Sequence, residues 1–292
     1  MPQFVSVIIP VFNDGKRLRI CLAALAKQTY PQDFYEVIVV DNGSEESLEN
    51  LIQEFPQTKL AYCLVPGSYA ARNHGIALAK GEILAFTDSD CIPALDWLKK
   101  GVERLLETDN CGLVAGKIAI FYQNSDRPTA VELYDDATFF NQETYITEQN
   151  YGATANVFTY KSVFEQVGLF NAQLKSGGDK EWGQRVAAQG YFLVYAEDSC
   201  IAHPARYSFK QMYRKIARVR GVGYEQERAN KPLLIYLATI LPHLKPPIRS
   251  TREKLRRLSQ EGKLRNLLLT LQVIWIIFTM HYLGFFAQTY RD

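Results

Sequence analysis

Cysteine is scarce and scattered in this chain. Five residues in 292 (Cys21, Cys63, Cys91, Cys111 and Cys200) include no CxxC pair. That spacing excludes a zinc ribbon, and an odd, dispersed set argues against a disulfide framework, so a reducing cytosol fits best. No GxGxxG follows the first apolar segment, which disfavours a dinucleotide-binding dehydrogenase. Met1 leads almost directly into an apolar run with no basic stretch or cleavage site, and no signal peptide is expected. Basic residues are not accompanied by any nucleic-acid recognition motif, so no nucleic-acid partner is expected. What remains is a chain of net charge +2, 47% hydrophobic and 12% aromatic. That is enough for one large α/β domain with an appendage.

Apolar runs and turn residues alternate regularly. Val5 to Val11 and Tyr35 to Val40 read as buried strands, Lys59 to Val65 as a third, and Ile83 to Phe86 as a fourth. Between them, Leu18, Cys21, Leu22 and Leu25 recur at helical spacing, Ser44 is placed to cap a helix from Ser47, and Tyr69 to Lys80 is an Ala-rich helix. Four strand–helix alternations predict a mostly parallel, Rossmann-like sheet flanked by helices. Further on, the spacing predicts a helix after Pro93, a strand over Gly112 to Phe121, and a short strand within Asn150 to Thr159. A helix over Lys161 to Val167 and strands at Phe192 to Tyr195 and Cys200 to Ala202 follow. Asp126 to Gln149 is polar, aromatic and weakly periodic, read as helix plus a mobile acceptor-side segment.

The fourth strand stops at Asp88-Ser89-Asp90. Residues i and i+2 of an extended chain share a side, so two carboxylates could aim at one point and hold Mg²⁺ or Mn²⁺. An Asp-rich turn is the alternative. Asp41, at the second strand's end, is either a nucleotide contact or a turn aspartate. Arg72 either forks onto a phosphate or is a solvated helix residue. Asp179 stands at the mouth of a helix behind Gly177-Gly178, where the positive end of the helix dipole favours its ionised form. It is a general base if it faces a hydroxyl, and an N-cap otherwise. His203 either completes a metal site or packs as an ordinary histidine.

Four stretches in order, SVIIPVFND (Ser6 to Asp14), VIVVDNGS (Val37 to Ser44), AARNHGIALAKGEILAFTDSD (Ala70 to Asp90) and GGDKEWGQR (Gly178 to Arg185), resemble glycosyltransferase family 2. The resemblance covers about residues 4 to 205 and implies an inverting enzyme of the GT-A fold. It implies that Pro10, Val11 and Asp41 frame the nucleotide base, with Arg72 near the nucleotide-sugar. Asp88 and Asp90 would form a DxD motif holding a divalent cation, Mn or Mg, on the donor diphosphate. Asp179 matches the catalytic base. Family members often carry an acidic pair before this helix, and Gly178 replaces the first acid, which leaves Glu181 as second candidate. A nucleotide-sugar donor, foremost a UDP-sugar, and a glycan or lipid-linked acceptor follow from the same resemblance. The expected division is a catalytic domain over 1–207, its nucleotide-binding half about 1–90 and its acceptor half about 91–207, and a helical arm over 208–292.

That arm is basic. Residues 206–265 hold 16 Lys/Arg against four acids, which leaves 17 basic and 27 acidic residues elsewhere. An anionic membrane surface is a fitting partner. Phe209 to Tyr224 reads as a basic amphipathic helix and Leu233 to Leu241 as a short apolar segment. Leu267 to Ala287 lacks charge and, as a helix of about 30 Å, matches bilayer thickness. Gln272, Thr279 and His281 favour membrane association over a span, at the cytoplasmic face; packing on the domain or on a second subunit is the alternative. Other classes fit less well. A haloacid-dehalogenase-type phosphatase carries DxD on its first strand, and a sugar nucleotidyltransferase needs a Gly-rich, Arg/Lys-bearing loop where this chain has Val11-Phe12-Asn13-Asp14. A catalytically inactive glycan-binding member is favoured only by Gly178.

Overall fold

The computed structural model describes residues 2–228 and 245–289; the apolar segment Leu233 to Leu241 lies outside them. The chain forms two compact units, residues 1–119 with 140–203 and residues 120–139 with 204–292. The boundary suggested at 207 by the sequence thus has a second crossing near 120–139, where an internal segment groups with the C-terminal residues.

The first unit is built on a sheet. β1 (Val5–Val11), β2 (Tyr35–Asp41), β3 (Thr58–Tyr62) and β4 (Ile83–Thr87) are parallel; β5 (Ile92–Pro93), β6 (Cys111–Phe121), β7 (Asn156–Tyr160) and β8 (Phe192–Pro204) complete the order β3-β2-β1-β4-β7-β6-β8-β5. β7 runs antiparallel to β4 and β6, and β5 antiparallel to β8. Every residue of β1, β2 and β4 is buried, as near-continuous apolar strands between helix layers must be. Covering helices include α1 (Gly15–Leu25), α2 (Glu49–Gln53), α3 (Ser68–Leu78) and α4 (Trp97–Glu107). Val11 pairs with Asp41 at the carboxyl edge, so the β1 and β2 ends are level.

One buried asparagine stitches the antiparallel half together. Asn156 Oδ1 accepts from Trp97 Nε1 at 2.8 Å, and its Nδ2 donates to the carbonyls of Lys117 on β6 and Ser199 on β8, each at 2.9 Å. The strands approach closely there: a Cβ on Gly116 would stand 2.2 Å from the Ser199 carbonyl. β8 is continuous, where the apolar pattern suggested two short strands. Glu197 and Asp198 break the pattern because they face solvent, and Glu197 pairs with Lys117 at 3.0 Å without interrupting the ladder. Ser44 is likewise not a helix cap. Its hydroxyl accepts from the Asn13 backbone at 2.9 Å, binding the β1 and β2 end loops, and α2 begins only at Glu49.

Asp126 to Gln149 is more regular than its sequence indicates. Thr129 and Glu132 form a reciprocal capping box that opens α5 (Ala130–Thr138), and Asn141 caps α6 (Gln142–Gln149). In the second unit α5 packs with α9 (Phe209–Arg228), α10 (Ile248–Gln260) and α11 (Leu267–Thr289). The core is Leu133, Tyr134, Met212, Ile216, Leu258, Val273, Ile276, Ile277 and Met280. Periodicity on α5 is concealed because two acids are buried with it. Asp135 pairs with Lys215 at 2.6 Å, and Asp136 with Lys263 at 2.5 Å. One face of α11 therefore packs on other helices of its own unit. The rest is open: only 28% of Leu267–Gly284 is buried, and Leu267, Leu268, Leu271 and Trp275 are exposed.

Candidate active site

The carboxyl edge of the parallel strands carries the polar groups. Pro10 and Val11 are buried at the end of β1. Asp41, also buried, accepts the Ser44 N–H at 3.0 Å, so one of its oxygens fills the turn role that sequence left open. Next to it Asn42 clamps the loop between β3 and α3. Its Nδ2 donates to the carbonyls of Cys63 and Val65, and its Oδ1 accepts from Gly67 at 2.7 Å. α3 thereby starts at a fixed point, with Tyr69 and Arg72 on one side of its first turns.

Beyond β4 the chain does not stay extended. The Cys91 N–H donates to the Asp88 carbonyl at 3.1 Å, a turn closed over Asp88-Ser89-Asp90. The alternation of an extended chain no longer applies, and the two carboxylates part company. Asp88 turns to Arg72, whose Nη2 stands 2.5 Å from its Oδ1. Asp90 turns to His203 and Arg17: Oδ1 is 3.6 Å from His203 Nε2, and Oδ2 is 3.5 Å from Arg17 Nη1. The ladder brings His203 there. Ile92 pairs with Ala202, so one step further along the antiparallel register sets Cys91 opposite His203. His203 is only 2% exposed, and the Phe140 ring lies 4.5 Å from its own. Phe140 holds that place with φ at +62°, a left-handed backbone that side chains adopt at some cost.

Ligand atoms of Asp90, Cys91 and His203 lie within 4.8 Å of one another. A carboxylate and an imidazole suit Mn²⁺, and a thiolate would not be its preferred partner. Burial, with Asp88 and Asp90 nearby, pushes the Cys91 thiol well above its usual range, and the hard carboxylate of Asp90 with the imidazole of His203 is the better-matched pair for Mn²⁺. Arg72 bears on what lies opposite. The side chain is 4% exposed, and its Nε has no hydrogen-bond partner among the described residues. A buried guanidinium with an unused donor is matched to an anion such as a phosphate.

On the other side of Arg72 stands Asp179, in the first turn of α8 (Gly178–Ala188). Tyr69 donates its hydroxyl to Asp179 Oδ1 at 3.1 Å, and the Arg72 guanidinium lies 5.6 Å from the Tyr69 ring centre. Burial raises the Asp179 carboxyl above its ordinary range, against the opposing pull of Arg72 and of hydrogen bonds from the Lys180 and Thr154 backbones and from Tyr69. Glu181 is otherwise engaged. Arg185 grips it with two bonds, 2.7 and 3.1 Å, while also donating to the Leu169 carbonyl at 2.7 Å, so Glu181 serves the helix rather than the cleft.

Strand-end logic thus located Asp41, Asp88, Asp90 and His203 at one edge, and Asp179 joins them through Tyr69 and Arg72. Tyr69, Arg17 and Phe140 escaped notice in the sequence. Tyr69 alone carried a signal, standing one helical turn before Arg72; Arg17 reads as a solvated helix cation, and nothing in the residue pattern marks Phe140.

The mixed parallel and antiparallel sheet with its covering helices is a GT-A-type fold. The glycosyl transferase family 2 profile matches residues 6–168, more than half of the chain. The chain is 41% identical over 228 residues to the glycosyltransferase AglE of Haloferax volcanii, covering 76% of this chain and 73% of that one. A dolichyl N-acetyl-α-D-glucosaminyl phosphate 3-β-D-2,3-diacetamido-2,3-dideoxy-β-D-glucuronosyltransferase of Methanococcus voltae is 23% identical over 226 residues, 73% of this chain and 70% of that one. Among solved structures, the mannosyltransferase PcManGT of Pyrobaculum calidifontis, in complex with GDP-Man and Mn²⁺, superposes with a TM-score of 0.65 at 18% identity, covering 99% of this chain and 86% of that chain. The chain belongs to glycosyltransferase family 2 and is a glycosyltransferase.

Proposed function

We propose that the enzyme transfers a sugar with inversion from a nucleoside-diphosphate donor to a hydroxyl of a glycan or lipid-linked acceptor. The observation that carries this reading is Arg72: a buried guanidinium whose Nε has no partner among the described residues, paired with Asp88 and lying against Tyr69, which bonds Asp179. A diphosphate between Arg72 and the Asp90–His203 pair would satisfy that donor, and would set the sugar carbon toward Asp179. Pro10, Val11 and Asp41 line the strand ends where the base would lie.

Asp90 and His203 would hold the divalent cation, which when bound neutralises charge on the donor diphosphate. Asp88 keeps the Arg72 side chain aimed at the leaving group. Asp179 accepts the proton of the acceptor hydroxyl, and that oxygen forms its bond to the anomeric carbon. The bond from that carbon to the diphosphate breaks on the opposite face, and the diphosphate departs with the electron pair beside Arg72. An α-linked donor would give a β-glycoside. The desolvated setting of Asp179 suits a base, since burial raises its carboxyl above the ordinary range and so makes it a stronger proton acceptor.

The lipid-linked acceptor rests on two supports. The Methanococcus voltae relative is named for a dolichyl-phosphate-linked acceptor. In the second unit, exposed Leu267, Leu268, Leu271 and Trp275 on α11 are accompanied by exposed Lys210, Arg214 and Arg218 on α9, a combination suited to an anionic bilayer surface. We assign residues 1–90 to donor binding and 91–207 chiefly to the acceptor, at the cytoplasmic face of the membrane.

The test is calorimetric titration of UDP, GDP and deoxythymidine diphosphate, with and without Mn²⁺. Cation-dependent binding of one nucleotide, lost in Asp90→Ala and His203→Ala, is the expected result. Equal binding with and without Mn²⁺, unchanged by either substitution, would overturn the placement of cation and diphosphate.

A further inference from the structure

Tyr69 is the residue around which the two halves of this site meet. Its ring occupies the space beside Gly178, at the start of α8, that any side chain there would need. A Cβ on Gly178 would stand 2.7, 2.9 and 2.9 Å from three ring carbons of Tyr69. No other residue fits at 178 while the ring stays where it is. The hydroxyl reaches past Gly178 to Asp179 Oδ1 at 3.1 Å, and the ring's other neighbour is the Arg72 guanidinium, 5.6 Å from the centroid. The ring is also 5.7 Å from that of Phe170, centre to centre, and the side chain is 6% exposed. Two χ angles locked by packing put the hydroxyl in one place.

We infer that Tyr69 is a positioning residue for the transfer step. Its hydroxyl fixes the rotamer of Asp179, so that one carboxylate oxygen is occupied and the other is turned to the acceptor hydroxyl. This inference rests on Asp179 acting as the base. An aspartate in the first turn of a helix has several rotamers open to it, and Gly177 and Gly178 beside it offer no side chain to restrain them. The donated hydrogen bond adds a side-chain restraint to those of the Lys180 and Thr154 backbone N–H groups. It also favours the ionised carboxylate, in company with Arg72 from α3 and the backbone N–H groups of Thr154 and Lys180, and against burial beside Tyr151. Arg72 and Asp179 therefore share one rigid side chain between them. The leaving-group side and the proton-accepting side of the reaction are held at a fixed spacing, which a displacement along a single line demands.

Tyr69→Phe isolates the hydroxyl, because the ring still fills the space over Gly178. Turnover is followed as nucleoside diphosphate released from UDP-glucose, UDP-N-acetylglucosamine or GDP-mannose, whichever the wild type consumes fastest. Loss of one hydrogen bond to a charged group predicts a kcat reduced about tenfold or more, with KM for the donor within about twofold. The acid limb of the pH–kcat profile moves to higher pH. The carboxyl ¹³C resonance of Asp179 reports the same displacement without turnover: its titration midpoint rises in Tyr69→Phe. Mn²⁺-dependent nucleotide binding stays as in the wild type. An unchanged kcat and an unchanged Asp179 titration in Tyr69→Phe, while Asp179→Asn abolishes transfer, would overturn the role of Tyr69 and leave the base in place. Transfer retained by Asp179→Asn would remove the base assignment and this inference with it.

Discussion

Replacing Asn156 by alanine tests how the fold brings His203 to Asp90. The side chain is fully buried, and three of its hydrogen-bonding positions are used: by the Trp97 indole N–H at 2.8 Å and by the carbonyls of Lys117 and Ser199, each at 2.9 Å. Truncation leaves one donor and two acceptors without a partner in a place water enters only through a new cavity. At about 1–2 kcal/mol for each stranded group, the loss is about 3–6 kcal/mol, a large part of the roughly 5–15 kcal/mol that holds a typical domain together. Asn156→Asp keeps the shape but turns a carboxylate oxygen toward the two carbonyls, so it does no better. Unfolding in urea, followed by tryptophan fluorescence, measures the loss. Because Ser199 and His203 lie on the same strand, the milder of the two variants should also weaken Mn²⁺-dependent nucleotide binding, by slackening β8 against β6. A loss below about 1 kcal/mol would show that neither contact nor cavity matters as argued.

Other consequences are as specific. The folded state holds the Asp179 carboxyl above its unfolded value, so its ionisation costs stability as pH rises through the ordinary carboxylate range; Asp179→Asn should then be more stable than wild type at pH 7 and equal to it near pH 3, by thermal unfolding at both. Glu181→Gln should leave kcat within about threefold and cost at most about 1 kcal/mol of stability, since Arg185 and Glu181 are 33% and 38% exposed; a loss of transfer comparable to Asp179→Asn would reverse the choice of base. Lys215→Met strands the buried Asp135 carboxylate and should cost about 3–5 kcal/mol, whereas Asp135→Leu with Lys215→Met should recover most of it in denaturant unfolding. Leu271→Glu with Trp275→Glu should lower sedimentation with vesicles containing phosphatidylglycerol about tenfold or more, leaving nucleotide binding untouched; unchanged sedimentation would detach α11 from the membrane.

What the sequence disclosed divides along physical lines. β1, β2 and β4 were readable because a strand buried on both faces must be apolar throughout, and a strand's end must then be polar; Asp41 and Asp88 mark those ends. Asp179 was readable for a related reason, as an acid just inside a helix behind two glycines. α5 was not, because Asp135 and Asp136 are as buried as Leu133 and no periodicity survives when charges enter the core with their partners. Ser44 was misplaced because a hydroxyl before a helix looks the same whether it caps that helix or, as here, ties two strand-end loops together.

The Asp88–Asp90 pair shows the limit most sharply. Spacing of two places both carboxylates on one side only if the chain stays extended, and one hydrogen bond from Cys91 to Asp88 abolishes that condition. The turn then gives each acid a different cation, Arg72 for Asp88 and Arg17 with His203 for Asp90. His203 is 113 residues downstream of Asp90 and reaches it through a strand register, a relation that no local pattern encodes. The same holds for Tyr69 and Gly178, whose fit depends on α3 and α8 being brought together by the sheet between them. Local rules therefore locate the acids, while the tertiary fold decides which of them stand together: Asp90 with His203, and Asp179 with Tyr69 and Arg72.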